Sequence, residues 1–121
     1  MTGNDLSPLT DTEVHYLGSE HVGDEFKVVI GHCGSPDSGG LPVLYLGDIA
    51  WNFGMALDIT RLLRFADFPD ILVVGVGYRT ADDDENDRLR GRDFTPSVDP
   101  AIAGTDPTMM GGADRFLAFL R

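Results

Sequence analysis

The chain of 121 residues contains a single cysteine, Cys33, and this scarcity excludes two kinds of stabilising site. One thiol cannot form a disulfide within the chain, and no Cys/His set with zinc-ligand spacing is present, so a structural zinc site is excluded. We predict no other metal and no cofactor. Since a chain without internal disulfides suits a reducing compartment, we expect a cytoplasmic protein.

Basic residues are also scarce. The chain has nine Lys and Arg but twenty Asp and Glu, which gives a net charge of −11. Such a chain repels phosphate backbones and anionic lipid headgroups, and no local basic patch offsets the repulsion. Long apolar runs are missing too: none approaches the roughly 20 residues that cross a bilayer. The opening MTGNDLSPLTDTE has no basic leader and no apolar signal segment. We therefore expect no nucleic-acid partner, no membrane partner and no signal peptide.

The residues that are present predict one domain, since 42% of them are apolar, enough to form a core. Residues 1–12 are polar and without periodicity, and they predict a flexible N-terminus ahead of a domain over residues 13–121. Two segments of alternating polarity, EVHYLGS (13–19) and DEFKVVIGHC (24–33), flank a turn with a glycine. They predict an antiparallel hairpin.

Two apolar runs follow, LPVLYLG (41–47) and DILVVGVGY (70–78). Strands without alternation are typical of a parallel sheet that is covered on both faces. Apolar residues at helical spacing lie between the two runs, with Asn52 as predicted N-cap and Pro69 at the end. This predicted core stripe consists of Met55, Ala56, Ile59, Leu62, Leu63 and Ala66. Strand, helix and strand together predict an α/β fold.

The rest of the chain is predicted to hold one long loop and one helix. Residues 79–110 are polar, with several prolines and glycines, and predict a long irregular segment. GGADRFLAFLR at the end predicts a helix whose apolar face consists of Ala113, Phe116, Leu117 and Leu120.

The loop GDIAWN (47–52) is the first place to look for a site, because ligands of α/β sheets bind beyond the carboxyl ends of the strands. A tight turn here would direct the backbone N–H groups of Ile49, Ala50 and Trp51 toward a developing oxyanion, with the Trp51 ring as an apolar wall. The alternative is an ordinary connection in which Trp51 belongs to the core.

No catalytic nucleophile is predicted. None of the five serines lies in a G-x-S-x-G elbow between a strand and a helix; they are Ser7, Ser19, Ser35, Ser38 and Ser97. Cys33 has His32 beside it, but neighbours on a strand point to opposite faces and cannot easily form a catalytic pair. We therefore expect Cys33 to be a small, at least partly buried thiol.

The segment DDDENDRLRGRD (82–93) has oxygen ligands at positions 1, 3, 5 and 12 of a calcium loop. It lacks the glycine at position 6 and the glutamate at position 12, where Asp87 and Asp93 stand, so we predict a solvated acidic loop without calcium. Arg88, Arg90 and Arg92 either bind an anionic ligand or pair with these acids.

Taken in order, LPVLYLGDIAWNFG, ILVVGVGYR, RGRDFTPS and GGADRFLAFLR resemble the esterase branch of the α/β-hydrolase superfamily. That branch includes the siderophore (enterobactin-type) esterases and, more distantly, the S-formylglutathione hydrolases. The similarity covers residues 13–121. It implies the N-terminal part of an α/β-hydrolase fold, in which an antiparallel hairpin leads into a mostly parallel sheet with crossover helices.

The resemblance also implies roles for particular residues. The segment from Asp48 to Ala50 stands where the family has its oxyanion-hole loop, so the backbone of Ile49, Ala50 and Trp51 is the expected oxyanion site. By the same comparison, residues near the rim of the substrate site are Trp51, Arg90, Arg92 and Asp93.

In the family, the helix that begins at Gly111 is followed by a strand, the G-x-S-x-G elbow, and later the acid and the histidine. All three catalytic residues are thus expected beyond Arg121. The resemblance implies an N-terminal fragment of a serine carboxylic-ester hydrolase that acts on a siderophore-like or other small ester and is inactive as given. Alternatives are a non-catalytic binding or scaffold domain with residues 79–110 as its contact surface, and an enzyme that uses Cys33.

The strand over residues 42–46 is expected to be a sheet edge, since the strand that pairs with it in the family is not among these residues. An edge that is apolar on both faces invites pairing with another chain. We therefore expect the isolated protein to self-associate through this edge or to be partly molten.

Overall fold

The computed structural model describes residues 9–34, 39–103 and 106–121, and its strands form one sheet. The strands are β1 (Thr12–Ser19), β2 (Asp24–Cys33), β3 (Val43–Leu46) and β4 (Ile71–Gly77), in the order β1-β2-β4-β3. β3 runs parallel to β4, and β2 runs antiparallel to β4. The α/β class and the mixed sheet that begins with two neighbouring strands confirm the prediction.

Within the described ranges, four helices accompany the sheet, and these residues form two compact units. The helices are α1 (Ile49–Leu63), α2 (Asp83–Phe94), α3 (Pro100–Ala103) and α4 (Ala113–Leu120), with 3-10 turns at Arg64–Ala66 and Pro107–Met109. The first unit comprises the described residues up to His15 together with Lys27–Gly77. The second unit comprises Tyr16–Phe26 and Tyr78–Arg121. None of the described helices is both long and apolar enough to cross a bilayer.

The predicted flexible N-terminus, residues 1–12, is described only in its last part, and residues 1–8 lie outside the described residues. The Arg61 guanidinium donates to the backbone oxygen of Thr10. The Thr12 hydroxyl donates to the Leu9 oxygen at 2.7 Å, and Thr12 already begins β1. This part of the segment is therefore fixed to the first unit.

In the first unit, α1 packs closely against the sheet because the strand residues that it contacts include glycines. A Cβ on Gly31 would lie 2.4 Å from Leu57 Cδ1, and a Cβ on Gly75 would lie 2.4 Å from Ile49 Cγ2. Only a residue without a side chain leaves room for such contacts. The buried cluster there consists of Cys33, Phe53, Leu57, Ile71 and Val73.

The predicted core stripe of α1 is wrong. Met55, Ile59 and Leu62 are 63%, 50% and 67% exposed, whereas the buried residues of the helix are Phe53, Leu57 and Thr60. The helix is apolar on more than one face, so periodicity alone does not choose between them. The glycine-lined strands select the face that carries Phe53 and Leu57.

The predicted ends of this helix are also wrong. The N-cap is Asp48 instead of Asn52, and the helix gives way to a 3-10 turn after Leu63, well before Pro69. Thr60 is tolerated on the buried face because its hydroxyl donates to the Ala56 oxygen at 2.8 Å, which satisfies the polar group within the helix.

The prediction of a long irregular segment over 79–110 is wrong, because α2 occupies its centre. The Asp82 side chain accepts a hydrogen bond from the Glu85 N–H at 2.8 Å and caps the helix. The first turn holds Asp83, Asp84 and Glu85, whose charges stabilise the positive end of the helix dipole. Glu85 also pairs with Arg88 at 2.8 Å one turn later. The acids are thus helix-start signals, and the predicted acidic loop is corrected to a helix.

We expect the segment 82–93 not to bind calcium tightly. A helix turns successive side chains to different sides, so the carboxylates cannot surround one ion as they do in a calcium loop. Asp93 is moreover held by Arg92 at 2.8 Å. Titration calorimetry of the metal-free protein should show no binding in the micromolar range, with magnesium as the control cation. A low-micromolar dissociation constant specific for calcium would contradict this.

The second unit has an aromatic core centred on Phe26, which is fully buried. Its ring stacks on Phe119 with centroids 4.6 Å apart and lies 5.5 Å from Phe116 and 5.8 Å from Tyr78. The predicted apolar face of α4 is correct for Phe116 and wrong for Leu117, which is half-exposed. Phe119, which the prediction omits, packs into the aromatic core, and Leu117 does not.

Candidate functional site

In the turn that connects β3 to α1, one residue has the left-handed backbone conformation, and the helix begins at the next residue. Asp48 has φ 53° and ψ 38°, and Ile49 is the first helical residue. Asp is one of the few residues besides Gly that adopt this region at modest cost. Asp48 therefore adopts the unusual backbone conformation, and Ile49, whose side chain is branched at Cβ, keeps an ordinary helical conformation.

The start of α1 offers backbone N–H groups. No side chain among the described residues caps it, and its first turn contains no acid. The Trp51 N–H donates to the Asp48 oxygen at 3.1 Å. The first N–H groups of a helix have no acceptor within the helix, so those of Ile49 and Ala50 are the ones suited to a negatively charged oxygen.

Glycines of β4 set the position of this turn. A Cβ on Gly75 or on Gly77 would each lie 2.4 Å from a side-chain carbon of Ile49. The Ile49 side chain is thus fitted against the backbone of the neighbouring parallel strand. The first turn of α1 is consequently anchored by packing, which is what a preorganised oxyanion site needs.

Trp51 and Asn52 complete the first turn of α1. Trp51 is 52% exposed, so the alternative that places it in the core is wrong. The side-chain oxygen of Asn52 is buried and has no hydrogen-bond partner among the described residues. This turn thus combines an exposed aromatic face, an unpaired acceptor and N–H donors.

The other predicted rim residues lie in the second unit, where Arg92 and the buried Asp93 form the centre of a hydrogen-bonded network. The Arg92 guanidinium donates to both Asp93 oxygens at 2.8 and 2.9 Å and to Asp24 Oδ2 at 2.9 Å. The Tyr78 hydroxyl donates to Asp93 Oδ2 at 2.9 Å. Asp93 is only 1% exposed, so its charge is balanced entirely inside the protein.

The electrostatics of this network hold Arg92 in its charged form. The hydrogen bonds to Asp93 are the largest cause, and with those to Asp24 they raise the pKa of Arg92 further above its usual range, although burial opposes them. The neighbouring arginines pair as well: Arg90 with Asp87 at 3.3 Å, and Arg88 with Glu85. Of the two alternatives for these arginines, internal pairing is the one observed.

The roles of Trp51, Arg90, Arg92 and Asp93 at a substrate rim stay predictions. The structure places Trp51 in the first unit and the other three in the second. Arg92 and Asp93 are brought together, and Arg90 lies over the Phe94 ring, 5.7 Å from its centroid. Tyr78 and Asp24, which are the other partners of this pair, are not predicted from the sequence. No local signal could have identified them, because they come from distant parts of the chain.

Two further groups have titratable or nucleophilic side chains. Cys33 is buried, and burial raises the pKa of its thiol, which favours the unreactive protonated form. Glu13 lies 3.1 Å from His15 Nε2 and 3.5 Å from His32 Nε2, and its hydrogen bond to His15 is the main cause that lowers its pKa. Within the part of the chain that the structure describes, no three His, Cys, Asp or Glu side chains are arranged to hold a metal ion.

Solved structures identify the fold to which this site belongs. The BES protein from Bacillus cereus superposes with a TM-score of 0.80 at 25% identity, over 100% of this chain and 46% of that chain. An IroE-like serine hydrolase from Shewanella oneidensis gives 0.71 at 25% identity, over 90% of this chain and 35% of that chain. The chain has the fold of the siderophore-esterase branch of the α/β hydrolases.

Other comparisons agree in fold or are negative. Siderophore hydrolase EstB from Aspergillus nidulans superposes with a TM-score of 0.67 at 23% identity, over 93% of this chain and 41% of that chain. No protein-family signature matches the sequence, and no curated protein is significantly similar to it. The chain spans less than half the length of the three structures named here, in agreement with the resemblance to an N-terminal part.

Proposed function

We propose that this chain is the N-terminal part of a serine carboxylic-ester hydrolase that acts on a siderophore-like or other small ester in the cytoplasm. The names of its structural neighbours, a siderophore hydrolase and an IroE-like serine hydrolase, support the reaction class. In this reaction a serine oxygen attacks the ester carbonyl, the alcohol leaves, and water then hydrolyses the acyl-serine.

The observation that carries the proposal is the turn at Asp48. It places the uncapped start of the 15-residue helix α1 directly after the carboxyl end of β3. When the serine attacks, the carbonyl oxygen becomes an oxyanion that needs N–H donors already in place. The N–H groups of Ile49 and Ala50, aided by the positive end of the helix dipole, supply them.

In the proposed reaction the 121 residues supply one part of the catalytic site. The sequence has no serine in a nucleophile elbow, so in this proposal the serine comes from outside these 121 residues. The resemblance places its histidine and its acid there as well. The chain contributes oxyanion stabilisation, and the Trp51 ring contributes apolar surface for the ester. Removal of one such donor from a serine hydrolase typically costs a factor of about 10² to 10³ in kcat.

We expect the purified 121-residue chain not to hydrolyse p-nitrophenyl acetate or butyrate above a matched serum-albumin control, because no activated nucleophile is present. The Cys33→Ala variant serves as the second control. Turnover that survives this substitution would contradict the proposal, and turnover abolished by it would favour the enzyme that uses Cys33.

The donor role is tested in a fusion of this chain to the part of the Bacillus cereus BES protein that lies outside the superposed region. We expect this fusion to hydrolyse p-nitrophenyl butyrate, and we expect Ala50→Pro to lower its kcat about 10²-fold or more with little change in KM. Proline is tolerated in the first turn of a helix but has no N–H to donate. The matched control is Ala50→Ser, which keeps the N–H. Equal kcat values for the two variants would overturn the role of Ala50.

A further inference from the structure

The outer side of α1 carries four exposed apolar side chains, which we call the exposed stripe. Met55, Ile59 and Leu62 are at least half exposed, and Phe65, in the 3-10 turn that follows the helix, is 91% exposed. Their spacing of three or four residues places them on one side of the helix over about 15 Å. All four belong to the first unit. Contiguous apolar surface that is exposed in this way is typical of a site where another molecule binds.

One carboxylate lies within the exposed stripe. Asp58 is exposed, and it follows Met55 by three residues and precedes Leu62 by four, so it lies on the same side of the helix. No ion pair or hydrogen bond joins Asp58 to any residue in the part of the chain that the structure describes. The stripe is therefore an apolar surface with an unpaired negative charge near its middle.

The two arginines that follow Asp58 in the sequence are engaged elsewhere. The Arg61 guanidinium donates to the backbone oxygen of Thr10, and Arg64 Nε lies 3.1 Å from Asp70 Oδ1. A molecule that covers the stripe removes water from Asp58, and a carboxylate that loses water without gaining a cation is costly to bury. A partner that fits this surface therefore needs a cation among its apolar side chains.

We propose that the exposed stripe binds a basic amphipathic helix of another protein, with a lysine or arginine of that helix against Asp58. A helix fits because side chains three and four residues apart form the ridges into which a second helix packs, and an amphipathic helix presents its own apolar side chains at the same spacing. The net charge of −11 attracts a basic segment before contact is made. This binding goes beyond the proposed ester hydrolysis and does not depend on it.

Charge disfavours the other occupants of the exposed stripe. A second copy of this chain also carries a net charge of −11, and a two-fold axis through the stripe would bring two Asp58 carboxylates toward each other without a cation between them. An anionic lipid surface is repelled by the same net charge. A basic helix meets neither penalty.

The experiment uses two synthetic helical peptides of leucine and lysine, each as long as the 15 residues of α1. One has a single lysine at the centre of its leucine face, and the other has glutamate at that position alone. Fluorescence anisotropy of the labelled peptides with the 121-residue chain measures both affinities. We expect the peptide with the central lysine to bind at least tenfold more tightly, because its ammonium group meets Asp58 inside an apolar contact. Asp58→Lys should reverse the preference.

Matched variants separate this contact from the general attraction between opposite net charges. Asp58→Asn should abolish the preference for the central lysine, whereas Glu20→Gln, which removes an exposed acid from the turn between β1 and β2, should leave it unchanged. Leu62→Ser should weaken binding of the central-lysine peptide at least tenfold. Ile102→Ser, which changes a 75% exposed residue of the second unit, should have no effect.

Four results would overturn the inference. The first is equal affinity for the two peptides, and the second is an equal effect of Asp58→Asn and Glu20→Gln. The third is a dimer in light scattering, or binding to phosphatidylcholine vesicles, that Leu62→Ser abolishes, since the occupant would then be a second copy or a membrane. The fourth concerns the fusion described above. If the fusion hydrolyses p-nitrophenyl butyrate but does not bind the central-lysine peptide, the stripe is covered within the larger protein, and the proposed function stands without the inference.

Discussion

Replacement of Arg92 by methionine is expected to lower the free energy of unfolding by about 3 to 5 kcal/mol. The substitution keeps most of the volume of the side chain but removes the cation that neutralises Asp93, which is 1% exposed. A buried charge without its partner costs far more than the pair contributes. Urea denaturation followed by circular dichroism measures the loss.

The control for this prediction is Arg88→Met, because Arg88 makes a comparable pair with Glu85 at the surface, where its side chain is 46% exposed. Exposed pairs contribute at most about 1 kcal/mol. The double variant Arg92→Met with Asp93→Leu should recover much of the stability, since no charge is then left buried. Equal losses for Arg88→Met and Arg92→Met would show that burial does not set the strength of the pair.

Leu57→Ala is expected to destabilise the protein by about 2 to 5 kcal/mol, and Leu62→Ala by less than about 0.5 kcal/mol. Leu57 is fully buried on α1, and its side chain fills the space that a Cβ on Gly31 would need. Truncation of Leu57 therefore leaves a cavity. Leu62 is 67% exposed, and its truncation removes little contact. Thermal or urea unfolding of the two variants gives the comparison.

The two variants also test which face of α1 is buried, because both replace leucine by alanine and their positions are five residues apart. The predicted core stripe contains Leu62 and omits Leu57. A larger loss for Leu62→Ala than for Leu57→Ala would restore the stripe predicted from periodicity and contradict the observed packing. Similar large losses at both positions would show that the exposed face of α1 is covered in solution.

The sequence by itself determined the parts of this protein that depend on neighbouring residues. Alternation over DEFKVVIGHC predicted β2, the apolar run before Tyr78 predicted β4, and the change of pattern at Gly47–Asp48 located the turn that bears the candidate site. These signals are local, because strand and helix periods are fixed by backbone geometry. The helix α2 had local signals as well, in the cap at Asp82 and the pair Glu85–Arg88. A dense run of charges is also typical of a solvated loop, and here that interpretation is wrong because the charges stabilise a helix.

Only the tertiary structure decided which face of α1 is buried and what surrounds Asp93. The face of α1 depends on Gly31 and Gly75, which come from strands on either side of the helix in sequence. The Arg92–Asp93 pair is completed by Asp24, 68 residues before Arg92. Contacts of this kind depend on the path of the whole chain and on the shape of the packed surfaces, and a pattern read over one or two turns contains neither.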